Sequence, residues 1–181
     1  MKKLFSILLT LVLALSLCLV TAVPVAATPV MAASPTEISI DVIQSQTRTL
    51  ADGSVTTLSD FPTTFELTLT GKVLHGEMSY SPDVTDLRGE KYTLVYDKKA
   101  DRWKLNLGVI QYTSPYTGLT IKEQWEGFLE LDDELNLITG EFTQYAFVVG
   151  DPAPDYPFAE PVAGEGLWYL GKSVYTYAPV E

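Results

Sequence analysis

Residues Thr63–Tyr80 read as two strands joined by Gly71-Lys72. A two-residue loop opening on glycine suits a type II′ hairpin, because glycine accepts positive φ at the first central position. That loop sets Thr70 opposite Val73, Leu69 opposite Leu74, Leu67 opposite Gly76 and Phe65 opposite Met78. Side chains alternate faces along a strand. Phe65, Leu67 and Leu69 therefore share one face with Leu74, Met78 and Tyr80. The other face holds Thr64, Glu66, Thr68, His75 and Glu77. Turn chemistry and apolar pattern yield the same register, the agreement expected of a half-buried antiparallel hairpin.

The rest of the chain repeats this grammar. Ile38, Ile40 and Val42 alternate with Ser39 and Asp41, so a strand is expected from there to Leu50, then a type I′ turn at Asp52-Gly53. Val55–Ser59 reads as a short edge strand, and Phe61-Pro62 as a break before the central hairpin. Lys91–Asp97 and Arg102–Tyr112 pair across a four-residue loop, with Tyr96 facing Trp103, Leu94 facing Leu105 and Tyr92 facing Leu107. Leu119–Leu131 and Leu137–Val149 pair next. There Leu131 is expected to face Ile138, Leu129 Gly140, Gly127 Phe142 and Trp125 Gln144. The last strand spans 166–178, with its two faces undecided.

No stretch after residue 33 keeps a helical period. The expectation is an all-β fold, an antiparallel meander of eight or nine strands. Closure into a β-barrel removes the edges, and a β-sandwich is the alternative. The layout is similar to that of small calycin-type barrels. That likeness is architectural and carries no residue over.

Residues 1–33 are set apart from this domain, which is expected over 34–181. Lys2 and Lys3 precede the apolar run Leu4–Val20, followed by small residues and Pro24. This is a secretory signal pattern and implies an extracytoplasmic location; an uncleaved N-terminal anchor is the alternative and the one expected contact with a membrane. Cys18 is the sole cysteine, so the domain holds no disulfide. Leu17 before it lacks the small side chain a lipidation site wants. All 23 acidic residues lie beyond residue 33, against ten of the 12 basic ones, a net charge of −13 for that part of a chain at −11 overall. That balance argues against nucleic acid and anionic membrane surfaces as partners.

Few residues offer chemistry. His75 is the single histidine. With no cysteine beside it in the domain, neither a zinc site nor a histidine-based triad has material, and no metal or cofactor is expected. Asp132, Asp133, Glu134 and Asn136 lack the spacing of a calcium loop and read as a solvated hairpin tip. Glu123 stands out, since alternation places it on the apolar face between Ile121 and Trp125. A buried carboxylate needs a partner, and Lys172 and Gln144 are the candidates.

The inward set suggests a barrel holding one small apolar or aromatic ligand, with Glu123 as its polar handle. The candidate binding residues are Glu123, Trp125, Trp103, Tyr92, Phe65, Met78, Gln144 and Phe142. Tyr156 and Phe158 join them from the proline-rich segment 150–166, which is expected to lie across one end of the barrel. The competing readings are a filled barrel acting as a cell-envelope interaction protein and a small enzyme using Glu123 as acid and base. An internal void above about 100 Å³ separates a ligand binder from a filled barrel.

Overall fold

The computed structural model describes residues 34–77, 91–152 and 155–180. They form ten antiparallel strands: β1 (Thr36–Leu50), β2 (Val55–Thr70), β3 (Val73–Glu77), β4 (Lys91–Asp97), β5 (Arg102–Asn106), β6 (Ile110–Thr113), β7 (Thr120–Leu131), β8 (Leu137–Val149), β9 (Glu160–Val162) and β10 (Leu167–Pro179). Among the described residues there is no helix, and so none long and apolar enough to cross a membrane. The ladder runs β1-β2-β3-β4-β5-β7-β8-β10, and β10 pairs back onto β1. Eight strands thus close a barrel. β6 and β9 lie outside the ring, on β7 and β10.

The central hairpin has the expected register from Leu67↔Gly76 to Thr70↔Val73, and Gly71 carries φ 63°. Met78 lies outside the described residues, as does the N-terminal segment. The hairpin Tyr96↔Trp103 and Leu94↔Leu105 also pairs as read. So do Leu129↔Gly140, Gly127↔Phe142 and Trp125↔Gln144. Their inward side chains build the main core. Val42, Leu67, Leu74, Leu94 and Leu129 are fully buried there. Each contributes about 1.5–3 kcal/mol by leaving water. Phe65, Phe142 and Tyr177 add an edge-to-face triad, with centroids 4.9–6.0 Å apart.

Several local expectations are corrected. Asp52-Gly53 is not a type I′ turn. Gly53 N–H donates to Leu50 C=O at 3.0 Å and only Gly53 has positive φ, which makes a turn over Ala51-Asp52 closed by a left-handed glycine. The Asp52 carboxylate accepts the Ser54 N–H. Phe61-Pro62 does not break the chain: β2 runs through it, bent where Asp60 takes φ 63° and the pairing with β1 skips between Gln44 and Gln46. The strand expected over 102–112 divides at Leu107-Gly108-Val109, so β5 and β6 take separate stretches of the β7 edge. Leu131 faces Leu137, because a bulge at the hairpin tip turns Leu137 inward and leaves Ile138 exposed.

The bulge with the greatest consequence is in β10. Pairing with β8 skips from Tyr169 to Gly171, so Leu170 is the extra residue. Beyond it Gly171, Ser173 and Tyr177 are buried, Tyr175 is half-buried, and Lys172 is exposed. A second, smaller core of Ile121, Val148 and Leu170 sits where β7 begins, β8 ends and β10 begins. Tyr156 and Phe158 pack on it, their rings 5.9 Å apart. They cover that end of the barrel, as expected of segment 150–166. Within this segment Pro161 sits in the short β9, an edge position suited to a residue without an N–H donor.

Candidate functional site

Four neighbouring strands, β1, β10, β8 and β7, carry the polar wall of the site. On β1 the inward parity of Ile40 and Val42 continues through Gln44, Gln46 and Arg48, opposite Tyr177, Tyr175 and Ser173 of β10. Ser173 is opposite Gln144 of β8, which is opposite Trp125 of β7. One step along, Gly171 is opposite Ala146, and Ala146 opposite Glu123. The inner wall therefore changes along the barrel axis, from leucines and aromatics at one end to polar groups at the other.

Two adjoining cavities follow from that change. The polar one, about 320 Å³, is lined by Glu123, Arg48, Gln46, Tyr112, Tyr156 and Ser173. The aromatic one, about 330 Å³, is lined by Phe65, Tyr92, Trp125, Phe142 and Tyr177, and also by the exposed Glu66 and Glu77. Gln144 and Tyr175 line both. Trp125 and Tyr175 stack at 5.5 Å and 23°.

Glu123 is only 3% exposed. Tyr112 Oη donates to its Oε1 and Trp125 Nε1 to its Oε2, each at 3.0 Å. Alternation therefore located the carboxylate but not these two donors. Lys172 is exposed, opposite Tyr145 and Thr49, because the β10 bulge reversed its parity, and it still lines the polar cavity. Gln144 is engaged elsewhere. Its Oε1 accepts from Tyr175 Oη at 3.2 Å, and that oxygen accepts from Gln46 Nε2 at 3.1 Å. The Tyr112 hydroxyl is pushed up by burial first, then by the charge and hydrogen bond of Glu123.

Of the other residues singled out from sequence, Trp103 is buried in the main core beside Tyr96 and lines neither cavity. Phe158 supports Tyr156 without reaching the polar cavity. Arg48, Gln46, Tyr112, Ser173 and Tyr175 went unnoticed. The signal for the first two was present, since they share parity with Ile40 and Val42. The carboxylate of Asp132 accepts the N–H groups of Glu134 and Asn136 and closes its own hairpin tip. Among the described residues no cluster of His, Cys, Asp or Glu is placed to hold a metal ion.

Replacing Glu123 with leucine removes the acceptor of two part-buried donors. A loss of about 1–3 kcal/mol in urea unfolding is expected. In a double-mutant cycle, Tyr112→Phe should lower the cost of Glu123→Leu, because one stranded donor is then gone. Additive effects would show that the Tyr112 bond contributes nothing. No family model matches this chain, and neither a curated protein nor a solved structure does.

Proposed function

We propose that the domain is an extracytoplasmic binding module that takes one small apolar or aromatic molecule into the barrel. The observation that carries this reading is the aromatic cavity of about 330 Å³, which shares Gln144 and Tyr175 with a polar cavity of similar size. Both are partly open clefts at the barrel interior, and ligand sites combine apolar walls with a few placed polar groups. Export rests on Lys2-Lys3 and the apolar run that follows. The work of the site is selection and shielding: rings stack on Phe65, Tyr92 and Phe142, while Gln144 orients the polar end.

The test is a panel of mono- and bicyclic aromatic compounds, followed by tryptophan emission and native mass spectrometry. Trp125 lines the cavity, so a bound ring shifts its emission and adds one ligand mass. Leu107→Trp fills the aromatic cavity from a half-buried wall position and is expected to abolish the adduct. An unchanged spectrum across the panel, or equal binding by Leu107→Trp, removes the reading.

A further inference from the structure

Gln144 stands where the two cavities meet and lines both. Its amide has two chemically different ends, and the protein fixes which end is used. Tyr175 Oη donates to Gln144 Oε1 at 3.2 Å. The same hydroxyl accepts from Gln46 Nε2 at 3.1 Å, and Ser173 hydrogen-bonds it as well. A phenol hydroxyl offers one donor and two acceptor sites, so this one is saturated. Gln46 lines the polar cavity and not the aromatic one, which leaves its carbonyl on the side that also holds Arg48 and Lys172. The hydrogen bonds therefore run in one direction, from the Gln46 amide through Tyr175 to the Gln144 carbonyl. Among the described residues no hydrogen bond uses Gln144 Nε2, and no buried polar side-chain atom lacks a partner. The Gln144 N–H pair is thus accessible from the cavities. The acceptors beside it are engaged, since both oxygens of Glu123 take Tyr112 and Trp125.

We infer that Gln144 determines specificity and selects an aromatic carbonyl compound, a neutral ring system ending in a hydrogen-bond acceptor. The ring lies in the aromatic cavity beside Trp125 and Phe142, and its carbonyl oxygen accepts from Gln144 Nε2. This rests on the binding reading above and adds the polar chemistry of the occupant. A ligand ending in a donor would set N–H against N–H and lose the hydrogen bond it made to water. The exposed Glu66 and Glu77 line the aromatic cavity and favour a neutral acceptor there over a carboxylate.

Three probes of one skeleton test it by fluorescence titration at neutral pH. The first, 2-acetylnaphthalene, carries the carbonyl. In 2-isopropenylnaphthalene a CH2 group replaces its oxygen at nearly the same shape, and 2-aminonaphthalene offers N–H donors instead. The ketone is expected to bind about fivefold tighter than the amine, the difference one hydrogen bond makes. Gln144→Glu keeps an acceptor for Tyr175 and removes both N–H groups, and Gln144→Met removes the whole amide at similar length. Each should weaken the ketone about tenfold and change the isopropenyl compound less than about twofold. Tyr175→Phe frees the amide to turn either end into the cavity, so the amine should gain on the ketone although Gln144 is still present. Equal binding of ketone and amine by the unaltered protein overturns the inference while the cavity reading stands, and this comparison decides alone where the variants do not fold. Equal losses of ketone and isopropenyl compound in both folded Gln144 variants overturn it too. If these three fail while other aromatics bind, the carbonyl assignment falls alone. If no aromatic binds, both readings fall.

Discussion

Gly127→Val is expected to cost about 3 kcal/mol or more, enough to unfold much of a marginally stable domain. A Cβ at position 127 would fall on the Glu141 carbonyl oxygen and the Phe142 ring. Neither can give way. The carbonyl belongs to the backbone of β8, and the ring is held in the triad with Phe65 and Tyr177. Gly127 also takes φ 154°, where a side chain is strained. Close approach of β7 to β8 lets Phe142 cross the barrel interior above a residue with no side chain of its own. Gly108→Val is the control, because nothing lies within 4 Å of a Cβ there. Urea midpoints are the measurement. Gly127→Val should lose most of its stability and Gly108→Val almost none. Similar midpoints for both would mean that the β7–β8 contact is not as described.

Alkaline pH is expected to unfold the domain sharply. Four inward tyrosines, Tyr92, Tyr112, Tyr175 and Tyr177, have hydroxyls pushed up by burial. Tyr92 is raised from 10.0 to about 12. A raised phenol holds its proton in the folded state after the unfolded chain has released it. Unfolding then releases protons, so stability falls as pH rises. The stabilisation is intact below about pH 10, the unfolded value, and each tyrosine removes about 1.4 kcal/mol per pH unit above it until its folded value is passed. Stability should be flat through neutral pH and drop steeply between about pH 10 and 12. The part of the tyrosinate absorbance that Tyr92→Phe removes should appear with the unfolding transition, not before it. Tyr92→Phe should also reduce the slope. A slope unaltered by Tyr92→Phe, or that part of the absorbance appearing in the folded protein near pH 10, would contradict the burial of this ring.

The barrel was legible because its register was written twice, in turns and in alternation. Gly71 terminates one strand where Leu69 and Leu74 must face each other, and no other loop satisfies both. Leu129, Gly127 and Trp125 named their partners by size, each bulky side chain meeting a slimmer one. What escaped was every place where the period of two is interrupted. The Leu170 bulge leaves no trace in the pattern, since aromatic residues flank it on both faces. It nevertheless decides that Ser173 is buried in the site and Tyr175 half-buried there, while Lys172, which also lines the polar cavity, is exposed. Leu107-Gly108-Val109 likewise continues the alternation while leaving the ladder, so β6 and Tyr112 were read as part of the preceding strand. Glu123 was found because it broke a pattern. Tyr112 was missed because a tyrosine breaks none.

The interior itself is tested most directly by the full-length protein purified from its source and measured by mass spectrometry under native and denaturing conditions. The native mass should exceed the denatured one by a single small molecule. That excess should vanish in Ala146→Phe, which places a ring in the polar cavity opposite Glu123, and in Leu107→Trp, which fills the aromatic one. Two equal masses from freshly purified protein that also fails to take up aromatic probes would contradict a ligand-binding barrel. So would an adduct that survives in both filled variants.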